Sequence, residues 1–172
     1  MLRAFEAQGF RYYTSSPVAE PEMALRACRE SLRRSGLCAG DIDAVILGWS
    51  EHRFFDDVQE RVGTHVVREL GFHCTHLMGI GMFGCCLHAE LVRTARNLIV
   101  AEGYRNVLVC EVNRCSPDDS DRHIGPDMYI YSDGAAGCVV TSEKPEFILR
   151  GLAHVTHGVP HHAEVGVRVS AA

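Results

Sequence analysis

Hydrophobic and polar residues follow two distinct periods along the chain. Between Met23 and Leu32, small and apolar residues recur every three or four positions, while arginines occupy the other face. This spacing predicts a helix that begins at Pro21 and ends at Gly36, because positions three and four apart share one helix face. The continuous apolar run over 44–49 instead predicts a strand that is buried on both faces of a sheet.

The same two patterns continue along the chain and give the order of its elements. They predict helices over about 58–70 and 86–101, and strands over about 74–79, 106–112, 135–141 and 147–155. Because helices alternate with buried strands, we expect a layered α/β fold with a mostly parallel sheet and a terminal antiparallel hairpin. Ligand chemistry in such sheets gathers at the carboxyl ends of the strands.

A glycine-rich turn with two adjacent cysteines joins one predicted strand to the next predicted helix. Gly79, Gly81 and Gly84 precede Cys85 and Cys86, and an amphipathic run follows. A thiol at this junction is exposed by the sharp turn and lies at the positive end of the helix dipole, which lowers its pKa and favours the reactive thiolate. Free cysteine is also among the most buried residue types, so two packed structural cysteines are the alternative interpretation.

Composition narrows the class of protein. The 172 residues suit one domain, and the net charge of -5 with a pI near 6.0 gives no indication of a nucleic-acid or anionic-membrane partner. No stretch approaches the roughly 20 apolar residues that a membrane-spanning helix needs, and the first residues do not resemble a signal peptide, so we expect a cytoplasmic protein. The eight cysteines include no CxxC pair, which favours core thiols over disulfides or zinc ligands.

Three blocks of the sequence carry a family resemblance. The first runs from Met23 to Leu47 and is a helix followed by Gly-Leu and then Asp-Ile-Asp. The second joins Gly84-Cys85 to the stretch over 103–109, and the third is the Ser-Asp-Gly-Ala-Ala turn and strand over 132–140. These blocks resemble the N-terminal half of thiolase-fold condensing enzymes, most closely the ketoacyl-acyl-carrier-protein synthase III and chalcone-synthase group, and they come in the family's order at similar separations.

The resemblance implies a chemistry for the glycine-cysteine turn. In this family, a cysteine that caps the central buried helix accepts an acyl group as a thioester from coenzyme A or a carrier protein. Its counterpart here is Cys85, with Cys86 as the runner-up. The acyl-CoA or phosphopantetheine-bound acyl group is then a substrate, and neither a bound cofactor nor a metal is expected. Phe54 and Phe55 fall in a loop that lies near the acyl pocket in this family, so they are candidate substrate-binding residues.

The resemblance also implies a domain organisation and structural roles. A thiolase-like N-terminal half domain is expected over residues 1–157, followed by a tail over 158–172. Gly84, Asp133 and Gly134 are expected to hold turns rather than to take part in chemistry.

Departures from the family limit what the chain is expected to do. The family's catalytic His and Asn belong to a second half that this sequence does not include, and the family's first strand is not found. Since a thiolate alone could at most be acylated, we expect an acyltransferase or condensing enzyme that is incomplete without a second half. The alternative is a non-catalytic remnant that associates with a full-length condensing enzyme. Either form would expose apolar surface, so a dimer or another homo- or hetero-oligomer is expected.

Histidine and aspartate clusters provide weaker candidates for a site. His88 lies about one helical turn after Cys85 and could act on its thiol, but packing against the next strand is the favoured interpretation. The histidines over 154–162 and the aspartates over 118–127 lack the spacing of recognised metal ligands, so no metal site is expected there.

Overall fold

The fold is taken from a computed structural model, which describes Gly9 and residues 12–49, 58–73, 75–81, 84–115, 123–124 and 129–153. This part of the chain contains three helices, α1 (Glu20–Ser35), α2 (Val58–Leu70) and α3 (Leu87–Glu102). Its strands are β1 (Ala44–Trp49), β2 (His76–Gly81), β3 (Asn106–Asn113), β4 (His123–Ile124), β5 (Tyr129–Ile130) and β6 (Gly134–Thr141). The three predicted helices are confirmed, with nearly the predicted ends.

Helix α1 shows why these segments are helical. Its apolar face is buried, and Met23, Leu25 and Leu32 belong to the core. Acidic residues lie in the first turn and arginines in the last, an arrangement that the helix dipole favours. Gly36 ends the helix with a φ of 69°, in the left-handed region where a residue without a Cβ is least strained.

Four strands form one mixed sheet in the order β2-β1-β3-β6. β1 lies parallel to both β2 and β3, and β6 lies antiparallel to β3. The register pairs Trp49 with Gly81 and Gly48 with Glu111, so the carboxyl ends of the three parallel strands meet at one edge. This arrangement confirms the predicted fold class.

Helices cover both faces of this sheet. Val45 and Leu47 of β1 pack on the side of α1 and α2, whereas Ala44 and Ile46 pack against Leu91 on the side of α3. Both sets of side chains are buried, which explains why β1 is a continuous apolar run rather than an alternating one.

The predicted last strand is wrong over the residues that the structure describes. Residues 147–153 form no strand, and residues 154–155 lie outside the described residues. The antiparallel pairing near the end of the described chain comes from β3 and β6 instead. The apolar residues of this segment have no neighbouring strand within the described part of the chain. Strand propensity alone does not form a strand when no partner strand is present.

A small second sheet lies between β3 and β6 in the sequence. It consists of β4 and β5, which pair antiparallel. Among the helices that the structure describes, none combines the length and the apolar character needed to cross a membrane.

Candidate active site

The glycine-cysteine turn lies where the sheet passes into α3. β2 ends at Gly81, a short 3-10 turn covers Gly84–Cys86, and α3 begins at the next residue. Gly84 has a φ of 52°, so the left-handed backbone there favours glycine. The turn therefore lies at the carboxyl edge of the parallel strands and at a helix N-terminus, where backbone N–H groups and the helix dipole favour negative charge.

Both candidate nucleophiles belong to this turn. Cys86 directly precedes α3, and it is exposed and carries a free thiol. Cys85 has its backbone in the same turn, but its side chain is not among those that the structure describes. The choice between the two thiols therefore stays a prediction.

Several polar side chains lie close together where the first turn of α3 meets β3 and β6. His88 Nε2 lies 3.9 Å from Cys138 Sγ on β6. Its other ring nitrogen, Nδ1, lies 3.8 Å from Glu111 Oε2 on β3, and Glu111 Oε1 accepts a 2.8 Å hydrogen bond from the Asn113 amide. His88 thus packs against the neighbouring strands, as the favoured interpretation of the sequence expected.

These polar side chains are only partly exposed to solvent. The side chains of His88 and Glu111 are 39% and 20% exposed. His88 Nδ1 is itself buried and has no hydrogen-bond partner among the described residues, so a small movement of the Glu111 carboxylate would satisfy it. Burial raises the pKa of the Cys138 thiol, which keeps this thiol protonated near neutral pH.

Asp133 directly precedes β6 and links the start of this strand to two other segments through hydrogen bonds. Its carboxylate accepts hydrogen bonds from the backbone N–H groups of Ser16, at 2.7 Å, and Cys115, at 2.9 Å. Its own N–H donates to the Thr14 carbonyl, and the residue is buried. These contacts favour the structural role expected for Asp133 and, with it, for Gly134, which begins β6.

The remaining thiols that the structure describes are poor nucleophile candidates. Cys28, Cys110 and Cys115 are buried in the core. A hydrogen bond with Cys28, together with burial, raises the pKa of Cys110 well above its ordinary value. Cys38 is exposed but lies at the other end of the fold, where its thiol contacts the Asp41 carboxylate.

Several predicted site residues fall on parts of the chain that are not described. Phe54, Phe55, the histidines over 154–162 and the aspartates over 118–122 and 125–127 lie outside the described residues. Within the described ranges, no group of three or more His, Cys, Asp or Glu side chains could hold a metal ion.

The structure adds residues that the sequence did not single out. Glu111, Asn113 and Cys138 reach the site through the pairing of β3 with β6, and no sequence spacing revealed that pairing. Trp49 ends β1 at the same edge, and its indole N–H is buried without a hydrogen-bond partner in the described structure.

Comparisons with known proteins agree with this geometry. No protein-family model matches the chain. Among solved structures, ChlB3, an acyltransferase, superposes with a TM-score of 0.72 at 24% identity over 84% of this chain and 43% of that chain. The 3-oxoacyl-(acyl carrier protein) synthase III of Pseudomonas aeruginosa PAO1 gives 0.63 at 20% identity over 85% of this chain and 44% of that chain. The fold is that of the thiolase-like condensing enzymes.

Sequence comparison points to the same group. Mycobacterial beta-ketoacyl-[acyl-carrier-protein] synthase III of Mycobacterium avium is 30% identical over 132 residues, which are 76% of this chain. Its counterpart in Mycolicibacterium paratuberculosis matches equally well. The chain spans 37% of the length of these curated relatives. Its described residues match one thiolase-like half-fold.

Proposed function

We propose that this chain accepts an acyl group on a cysteine of the Gly84–Cys86 turn, with Cys85 as the nucleophile and Cys86 as the runner-up. The donor is an acyl-CoA or an acyl-carrier-protein thioester. One observation carries the proposal: two adjacent cysteines lie between the carboxyl end of β2 and the N-terminus of α3 in a thiolase-like half-fold.

The proposed step is a thioester exchange. The cysteine sulfur attacks the acyl carbonyl carbon, a new S–C bond forms, and the bond from that carbon to the donor's sulfur breaks. The proton of the cysteine ends on the departing thiol, so no oxidant, reductant or metal is required. Backbone N–H groups at the start of α3 stabilise the negative charge that develops on the carbonyl oxygen.

The role proposed for residues 1–172 is the formation of this acyl-enzyme. Condensation needs groups that stabilise a carbanion or enolate, and the resembled family draws its catalytic His and Asn for this purpose from its second half. The curated relatives are named as synthases and are longer, so we propose that a second half-fold completes the reaction. The non-catalytic alternative gains no support from the comparisons.

Intact-protein mass spectrometry after incubation with a series of acyl-CoAs tests the proposal. The wild type is expected to gain the mass of one acyl group, and hydroxylamine, which cleaves thioesters, is expected to remove it. Cys85→Ala is expected to abolish the adduct and Cys86→Ala to retain it. The opposite result assigns the nucleophile to Cys86.

Cys38→Ala is the matched control, because Cys38 is exposed but distant from α3. If the double variant Cys85→Ala/Cys86→Ala is acylated as fully as the wild type, the proposed site is wrong. Loss of the adduct in Cys38→Ala would show that exposure alone, rather than the turn, determines reactivity.

A further inference from the structure

Cys138 is a thiol that the proposed acylation of the turn does not use. It lies on β6 and is half-buried, so part of its surface is in contact with solvent. Burial raises the pKa of this thiol, so it carries its proton near neutral pH and is a weak nucleophile on its own. Covalent chemistry at Cys138 therefore requires a neighbouring base that removes the proton.

His88 is placed to be this base. Its Nε2 lies 3.9 Å from Cys138 Sγ, within the longer range of hydrogen bonds to sulfur. A neutral imidazole that accepts a proton on Nε2 carries its own hydrogen on Nδ1. His88 Nδ1 is buried and lies 3.8 Å from Glu111 Oε2. Because a carboxylate accepts hydrogen bonds, Glu111 favours the tautomer in which Nε2 can accept the thiol proton.

Glu111 is itself held in place beside the imidazole. The Asn113 amide donates a 2.8 Å hydrogen bond to Glu111 Oε1, while Oε2 is the oxygen that faces His88. The carboxylate is 20% exposed, so its attraction for a protonated imidazole is screened less than at the surface. Thiol, imidazole and carboxylate thus follow the order in which a nucleophile is activated by a base and the base is oriented by a third group. The separations are those of a site without substrate, where such contacts are often long.

Only small residues lie between Cys138 and the carboxyl edge of the sheet on this face of β6. Gly134, Ala136 and Cys138 are two positions apart, so they share the face that packs towards α3. Gly134 pairs with Asn113 at the carboxyl end of β3, and both Gly134 and Ala136 are exposed. These two positions therefore present no bulky side chain to an acyl chain that approaches Cys138 from this edge.

The proposed acyl-carrying turn lies at the same edge and close to His88 along the chain. Cys85 and Cys86 precede His88 by three and two residues, and His88 belongs to the first turn of α3. Three residues of helix rise by only about 5 Å along the axis. One imidazole therefore lies within a helical turn of the proposed thioester and in contact with a second thiol.

We propose that Cys138 is a second acyl acceptor, which takes the acyl group from the thioester of the Gly84–Cys86 turn with His88 as general base and Glu111 as positioning residue. This inference rests on the proposed function, because the turn supplies the thioester. The Cys138 sulfur attacks the acyl carbonyl carbon while His88 Nε2 takes the thiol proton. A new S–C bond forms, the bond from that carbon to the sulfur of the turn breaks, and His88 returns the proton to this sulfur. The total mass of the acyl-enzyme does not change, since the group moves between two thiols.

Peptide mapping by mass spectrometry locates the acyl group over time. Acetyl-CoA, hexanoyl-CoA and decanoyl-CoA are added in separate samples at one equivalent, so that a second group is not loaded. Digestion with pepsin at low pH limits further exchange, because protonated thiols react slowly with thioesters. The wild type is expected to carry the group first on the turn peptide and later on the Cys138 peptide. Cys138→Ala is expected to retain it on the turn, and Cys85→Ala/Cys86→Ala to lose it from both peptides.

Variants of the base separate loading from transfer. His88→Ala is expected to slow the transfer to Cys138 at least about hundredfold, the usual contribution of a general base, while the turn is loaded as in the wild type. Glu111→Gln is expected to slow the transfer without changing the loading, and Glu111→Asp, which keeps the carboxylate, to slow it less. His73→Ala is the matched control, because His73 is exposed and precedes β2 at the opposite edge of the sheet.

Alkylation of Cys138 by iodoacetamide provides a measurement that needs no acyl donor. Its rate, taken relative to Cys38 in the same sample, is expected to fall in His88→Ala because the thiol loses its base. A purely packing role of His88 predicts the opposite result, since removal of the ring would expose the thiol and speed its alkylation.

Four outcomes would overturn the inference. An acyl group that stays on the turn in the wild type would refute the transfer and leave the proposed function intact. Transfer at the wild-type rate in His88→Ala would exclude His88 as the base. Acylation of Cys138 in Cys85→Ala/Cys86→Ala would show that the donor loads it directly. The absence of any adduct in the wild type would refute the proposed function and, with it, the transfer.

Discussion

At the scale of single residues, Asp133 shows how one side chain joins distant segments. Its carboxylate accepts hydrogen bonds from the backbone N–H groups of Ser16 and Cys115, and its own N–H donates a hydrogen bond to the Thr14 carbonyl. The sequence indicated a turn at Asp133-Gly134, and the resemblance indicated its place in the fold. Neither identified the three partners, because they are far from Asp133 in the sequence.

Asp133→Ala is expected to lower the free energy of unfolding by roughly 2–4 kcal/mol, since one buried and one half-buried backbone N–H group lose their acceptor. Asp133→Asn is expected to cost less, because its amide oxygen can still accept one of these hydrogen bonds. Urea unfolding measures both, and Glu146→Ala, at an exposed position, is the control. Equal stability of Asp133→Ala and the wild type would show that the two carboxylate contacts contribute nothing net.

At the scale of elements, much of the fold could be predicted. The periods of three to four and the continuous apolar runs identified α1, α2, α3, β1 and β3, because each element buries its apolar side within the same chain. The strand expected over 147–155 is the exception, since residues 147–153 have no partner strand in the described structure.

The candidate site was predictable to a different extent. The glycine-cysteine turn could be located, because glycines and the start of an amphipathic helix mark it locally. Glu111, Asn113 and Cys138 could not, because they face the site through the register of β3 and β6. Strand period gives the face on which a residue lies, but it does not give the neighbour across the sheet.

A substitution at Gly137 tests how closely α1 packs on β6. A Cβ at this position would lie 2.9 Å from Ser31 Oγ and 2.9 Å from the Val109 carbonyl oxygen. Gly137→Ala is therefore expected to lower the free energy of unfolding by about 1–3 kcal/mol, the usual cost of overpacking. Gly151→Ala is the control, because nothing lies within 4 Å of the added carbon there. Thermal unfolding that is equal for the two variants would contradict this tight packing.

At the scale of the whole molecule, the cysteines whose side chains the structure describes differ in solvent accessibility. Cys38 and Cys86 are exposed, Cys138 is half-buried, and Cys28, Cys110 and Cys115 are buried. The three buried thiols lie on α1, on β3 and directly after β3, so they become accessible only when the sheet and its helices separate.

Alkylation with iodoacetamide followed by peptide mapping is expected to follow this order. In the native protein, Cys38 and Cys86 should be labelled first and Cys138 more slowly, because burial also raises the pKa of the Cys138 thiol and lowers its thiolate fraction. Cys28, Cys110 and Cys115 should be labelled only in denaturant. Fast labelling of Cys110 without denaturant would show that the core opens more readily than its packing indicates.

The central position of β1 has a consequence for the synthesis of the protein. β1 is made before both of the strands that flank it, and β3 is completed only at Asn113. Until then, a strand that is apolar on both faces has an open edge in the nascent chain. A ribosome that pauses before β3 therefore holds a segment prone to aggregation, and chaperones that bind nascent chains are expected to engage β1 first.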